Sequence, residues 1–180
     1  MEFVAIIDGK ARATAGCAVV GVYENADLGV AARQIDKQQD GLIAGIQAAG
    51  DFAAKLGDTL MLPLPAGSNA SRLLLVGLGS RAAFTRKQYR KALQSSAQAL
   101  AKTGAADAVV YLALEPVREL DIAYRARILA EVYASQAYKV PDLKTAPKPK
   151  PRPLATVSVA AADARGAKSA TQGLRIGVAV

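Results

Sequence analysis

Three sets of residues have the types and spacing that chemistry needs. Gly77, Gly79 and Ala82 follow an apolar run in the pattern GxGxxG/A. After a strand and ahead of a helix, that pattern cradles a pyrophosphate on backbone amides. Two features oppose this use. The following helix is predicted to start at Thr85, later than the pattern requires, and no Asp or Glu occurs between residues 59 and 106 to hold a ribose. Close backbone packing at a strand end accounts for the glycines more simply. The second set is cationic: Arg86, Lys87, Arg90 and Lys91, with Arg72 and Arg81 near them. These could neutralise phosphates, which would make binding salt-dependent; a solvated face or a subunit contact is the alternative. The third set is acidic. Asp8, Glu24, Asp27, Asp36, Asp40, Asp51 and Asp58 are scattered and share no ligand spacing, which suits caps, turns and surface charge better than a two-metal hydrolase site.

Composition excludes other chemistries. The chain has 180 residues and no histidine, so a Ser-His-Asp triad, a Cys-His pair, HExxH and imidazole-ligated zinc are ruled out. The single cysteine, Cys17, lies in the apolar run CAVVGVY with no base nearby in sequence, and is expected to be a buried, inert thiol. One cysteine forms no intrachain disulfide, as suits a reducing compartment. The start, MEFVAIID, lacks the basic region of a signal peptide. No uncharged apolar run approaches the about 18 residues of a membrane span. The expected location is the cytoplasm.

The net charge of +8 is unevenly spread. Residues 1–58 hold eight acids and five bases, residues 59–106 seven bases and no acid, and residues 139–180 eight bases and two acids. Charge concentrated in blocks implies a surface with an anionic partner. The cations after Thr85 also oppose the helix dipole, because a helix N-terminus is itself partly positive.

The elements that position these sets follow from pattern. Runs 2–8, 17–23, 58–65, 72–78, 107–114 and 154–161 are β-branched or apolar and predict strands. Pro63 places the third at an edge or strand end. Helical spacing predicts helices around Leu28–Ile35 and Leu42–Ala49, separated by Asp40 and Gly41. A further helix follows Thr85, whose capping box with Gln88 and staple of Phe84 with Tyr89 define its start. Tyr89, Leu93, Ala97 and Leu100 form its inward stripe, and Gly104 is its expected C-terminal stop. Residues 119–138 predict a second long helix. PDLKTAPKPKPRP, residues 141–153, predicts an extended connector; its Lys148 and Lys150, with Lys144 and Arg152, are further candidates for nucleic-acid contact. Residues 164–180 predict a last helix whose Gly166, Gly173 and Gly177 allow close packing. Six strands interleaved with helices predict an α/β layered fold with a mixed sheet.

GDFAAKLGDTLMLP (50–63), RLLLVGLGSRAAFTRKQYRKA (72–92) and ILAEVYASQAYKV (128–140), together with MEF followed by CAVVGVYE, resemble the N-terminal domain of bacterial leucyl aminopeptidases of the cytosol aminopeptidase metallopeptidase family. The resemblance runs through essentially the whole chain. It implies a macro-domain-like three-layer α/β fold with a mixed, mostly six-stranded sheet. It implies a core at 1–140, a Pro/Lys connector at 141–153, and a last strand and helix at 154–180 leading to a catalytic domain outside this chain. In the whole protein it implies a hydrolase, a metalloprotease of cytoplasmic, hexameric form, which removes N-terminal residues from peptides with two divalent metals, zinc or manganese. The family's NTDAEGR motif does not occur in this sequence, so no catalytic or metal-binding residue carries over, and the chain alone is expected to be inactive. Some bacterial members also bind DNA. Two other readings stand beside this one: a stand-alone DNA-binding module resting on the basic blocks, and a macro-like nucleotide or ADP-ribose binder resting on the glycine turn.

Overall fold

Apolar runs with β-branched residues form the strands, and apolar residues at helical spacing form the helices that cover them. The structure, a computed structural model, describes residues 1–9, 14–137 and 153–179. The elements run β1 (Glu2–Ile7), β2 (Cys17–Tyr23), α1 (Val30–Gln38), α2 (Leu42–Ala48), β3 (Thr59–Pro63), β4 (Arg72–Gly79), α3 (Arg86–Ala101), β5 (Asp107–Val110), α4 (Ile122–Ala137), β6 (Thr156–Ala161) and α5 (Ala164–Ala179). The six strands form one sheet in the order β1-β6-β5-β2-β4-β3. The first five are mutually parallel, and β3 joins β4 antiparallel at the edge. Pro63 ends β3 there, where its missing N–H costs no ladder bond.

The sheet is the middle of three layers. Cys17, Val19, Leu74, Val76, Val110, Val157 and Val159 pack on one face beneath α3, α4 and α5. Ala18, Val20, Val22, Leu73, Leu75 and Val109 pack on the other face with α1 and α2. Every residue of β2 is buried, as a parallel strand covered on both faces requires, and this explains its unbroken apolar sequence.

Local signals set the helix starts. Gln88 accepts hydrogen bonds from the Thr85 amide at 3.3 Å and from its hydroxyl, closing the capping box of α3. The Phe84 and Tyr89 rings meet edge to face at 6.3 Å. Asp36, in α1, caps α2 by accepting from the amides of Ile43 and Ala44 at 2.7 and 3.1 Å. Gly41 turns the chain between them at φ +79°. Asp121 caps α4 and Asp163 caps α5 in the same way.

Several boundaries shift by a few residues from the sequence expectation, and two of the differences have a clear local cause. α3 stops at Ala101, and Gly104 does not serve as a left-handed stop. The Thr103 amide and hydroxyl instead take up the Leu100 carbonyl, the hydroxyl at 2.7 Å. β5 ends at Val110, and residues 112–114 of the same apolar run form a 3-10 turn. An apolar run reports burial, not extension, so it does not distinguish a strand from a buried turn.

Glycine sets the approach of α4 to α5. A Cβ at Gly173 would overlap the Ala123 carbonyl, and one at Gly177 would lie 2.5 Å from the Arg127 carbonyl. The two helices therefore pack backbone to backbone, one turn of each against one turn of the other.

Candidate functional site

The cations at the start of α3 gather around an open concavity of about 550 Å³ lined by Thr85, Arg86, Lys87, Arg90, Arg118 and Glu119. Their place against the helix dipole has a tertiary cause. Arg90 pairs with Glu131 of α4 at 2.9 Å, and Arg127 pairs with the same carboxylate at 2.9 Å. The Arg86 and Arg127 guanidiniums lie 5.2 and 5.7 Å from the centre of the Tyr124 ring. α4 thus supplies partners for Arg86 and Arg90 among the wrong-end charges, and both are held with N–H groups left for a further contact.

The other candidate cations lie elsewhere. Lys91 covers Gly57 on the side towards the 54–58 loop. Arg81 makes a two-point pair with Asp27 at 2.5 and 2.9 Å, and its guanidinium rests 4.0 Å from the centre of the Tyr23 ring. This pairing holds the Asp27 carboxyl below the usual range. Arg72 reaches the Gly16 carbonyl at 3.4 Å, at the opposite end of β4; roughly 23 Å of strand lies between the two ends. Lys144, Lys148, Lys150 and Arg152 fall outside the described residues. Arg118 joins the concavity and Tyr124 packs against Arg86 beside it, and sequence reasoning singled out neither for this site.

The glycine turn serves packing. Gly77 donates its amide to the Asp58 carbonyl at 2.8 Å, and Gly79 donates to Ala54 at 3.1 Å. A Cβ at Gly77 would overlap the Lys55 carbonyl. Amides already spent on a neighbouring loop, with backbone filling the space above them, leave no cradle for a phosphate.

A second polar centre lies where sequence reading gave no warning. The chain leaves β2 towards α1 on one face and leaves β5 towards α4 on the other, so the sheet's topological switch point lies between these neighbours. Open α/β sheets bind ligands outside the strand ends at such a point. Here Glu115 fills it. Its carboxylate, 1% exposed, accepts from the Val30 amide at the start of α1 at 2.7 Å and from the Tyr23 hydroxyl at 3.1 Å. Arg125 donates to the Glu115 carbonyl. Burial pushes the Glu115 carboxyl above the usual range, opposed by these donors and by Arg81 and Arg33. A macro-like nucleotide site at this position is not favoured, because the anion position is already filled.

Cys17 is fully buried, and burial pushes its thiol up to about 11; this matches an inert thiol. Among the described residues no three His, Cys, Asp or Glu side chains gather as metal ligands. The two-metal centre implied for the whole protein therefore has no fitting ligand set here. No helix among them is long and apolar enough to cross a membrane.

A family model described as the cytosol aminopeptidase family, N-terminal domain, matches residues 19–147. The chain belongs to that family. The probable cytosol aminopeptidase of Chromohalobacter salexigens is 36% identical over 180 residues, covering all of this chain and 35% of its own length. That of Halorhodospira halophila is 37% identical over 138 residues, 77% of this chain and 28% of its own. The chain thus spans about a third of the length of the curated relatives it matches. A mutant tomato leucine aminopeptidase superposes with a TM-score of 0.68 at 19% identity, covering 95% of this chain and 35% of that one. The bottromycin maturation enzyme BotP in complex with Mn gives 0.59 at 23% identity, covering 91% and 30%. The macrodomain of Thermus aquaticus DarG gives 0.62 at 9% identity, covering 88% of this chain and 97% of that one. These likenesses establish the fold: a family N-terminal domain with macrodomain architecture.

Proposed function

We propose that this domain is the non-catalytic part of a leucyl aminopeptidase whose metals and catalytic residues lie on chain outside these 180 residues. The observation that carries the reading is the full-length match to a relative three times as long. In this reading the whole protein is a cytoplasmic hydrolase that removes N-terminal residues from peptides with two divalent ions, manganese or zinc. The domain's part is to support assembly, as a hexamer, and access to substrate. The purified chain is expected to release no leucine from a leucyl anilide with or without added Mn²⁺ or Zn²⁺. Metal-dependent release would overturn the assignment of catalysis to other residues.

The concavity at the start of α3 supports a second role within the same protein, contact with double-stranded DNA. Arg86, Lys87, Arg90 and Arg118 surround an open space, and a single acid, Glu119, lines it. With three phosphates neutralised, log affinity is expected to fall with log salt at a slope of about −3. Removing two of the cations by Lys87→Ala and Arg118→Ala is expected to flatten the slope by about two units. Duplex binding measured by fluorescence anisotropy across a salt series checks this. An unchanged slope in the double variant would remove the concavity from the DNA surface.

A further inference from the structure

The switch point between β2 and β5 combines features that occur together in ligand sites. It lies outside the carboxyl ends of parallel strands, and the start of α1 faces it. Gly29 at the head of α1 has no side chain to cap the helix, and no room for one: a Cβ there would overlap both the Glu115 carboxylate and the Gly21 carbonyl. The donors that converge, the Val30 amide and the Tyr23 hydroxyl, are the kind that hold a small anion. The cover is polar and partly exposed: the Arg81–Asp27 pair lies across the Tyr23 ring.

We propose that this crevice is an anion site closed from within, with the Glu115 side chain as its permanent ligand and the Arg81–Asp27 pair as its cover. The contact is autoinhibitory in the plain sense, since no external carboxylate or phosphate can enter while Glu115 is present. It also makes α1 dependent on a residue 85 positions later in sequence, so the occupant joins the two halves of the sheet across the switch point.

The proposal has a test in which the missing piece is returned. Truncation at Glu115→Ala removes a CH₂–COO⁻ fragment, which is acetate less one hydrogen, and leaves the Val30 amide and the Tyr23 hydroxyl facing an empty anion position. The full chain carrying Glu115→Ala is expected to unfold at lower temperature than the parent. Adding about 0.2 M sodium acetate is expected to raise that temperature by a few degrees, in the saturable manner of a ligand that binds only the folded state. The parent chain and the Glu115→Gln variant, in which the position is filled, are expected not to respond. Sodium chloride at equal ionic strength is the control for screening. If Glu115→Ala does not fold unaided, the same comparison is read as the folded fraction recovered on refolding in acetate against chloride. Equal responses to acetate and chloride, no response to either, or a parent chain that responds as the variant does would each overturn the proposal. Acetate-specific recovery confined to the truncated variant establishes it.

Discussion

Substituting leucine for Gly173 is expected to cost about 3 kcal/mol of stability, because the new side chain has to push two helix backbones apart. The neighbour at this position is the Ala123 carbonyl of α4. A backbone group of a packed helix does not rotate away as a side-chain tip does. In a chain of this size the change corresponds to a fall in unfolding temperature of roughly 10 °C. Gly166 provides the internal comparison. It lies in the first turn of the same helix, and a Cβ there would meet side chains alone, the Asp163 carboxylate at 3.3 Å and the Ala161 methyl at 3.5 Å. Gly166→Ala is expected to stay within about 0.5 kcal/mol of the parent, the gain in helix propensity offsetting the crowding. Urea denaturation of both variants checks the contrast. Similar changes at the two positions would show that close approach of α4 and α5 is not what requires glycine at 173.

Removing the Glu115 carboxylate is expected to cost about 2–3 kcal/mol in Glu115→Ala, since the Val30 amide and the Tyr23 hydroxyl lose their buried acceptor. Glu115→Gln keeps an acceptor for the amide and offers Tyr23 a donor, so its loss at neutral pH is expected to be well under half as large. The two forms also part with pH. Burial holds the folded Glu115 carboxyl above its ordinary value, so the folded chain binds that proton more tightly than the unfolded chain. The contribution of Glu115 is therefore most favourable below the unfolded pKa of about 4.3. It is lost as pH rises through the folded pKa. Relative to Glu115→Gln, the parent is expected to lose stability across that window and then level off. Unfolding free energies of both chains at matched pH values measure the difference. A difference that stays flat, or that grows in the parent's favour with rising pH, would contradict the burial argument.

How far these features were legible depends on the range of the interaction behind each. The start of α3 was readable residue by residue, because a capping box and a staple involve neighbours within five positions. The strands were readable because parallel strands covered on both faces need unbroken apolar runs, and β2 and β4 supply them. The end of β5 was not, since the turn at 112–114 is as apolar as the strand before it. The cationic set at α3 was visible, but its partners were not. Tyr124 and Glu131 lie on another helix, and nothing local to Arg86 or Arg90 announces them. Glu115 was the least visible of all. An acid followed by proline after an apolar run looks like a surface turn, and its burial depends on Tyr23 and Val30, more than 80 residues away. The glycines at 77 and 79 matched a binding pattern whose amides the fold had already assigned to the 54–58 loop.

The order of the sheet also governs the order of assembly. β1 has one neighbour in the sheet, β6, and Glu2 lies opposite Thr156. β1 thus waits for a partner strand 154 residues later in the chain, and at a synthesis rate of about 5–20 residues per second that wait lasts roughly 8–30 seconds. Meanwhile β2, β3 and β4 can pair among themselves, leaving an apolar N-terminal strand with no edge to join. The nascent chain passes through an interval in which β1 has no sheet partner, and the end of the interval is set by the arrival of residues 156–161 rather than by anything in β1 itself.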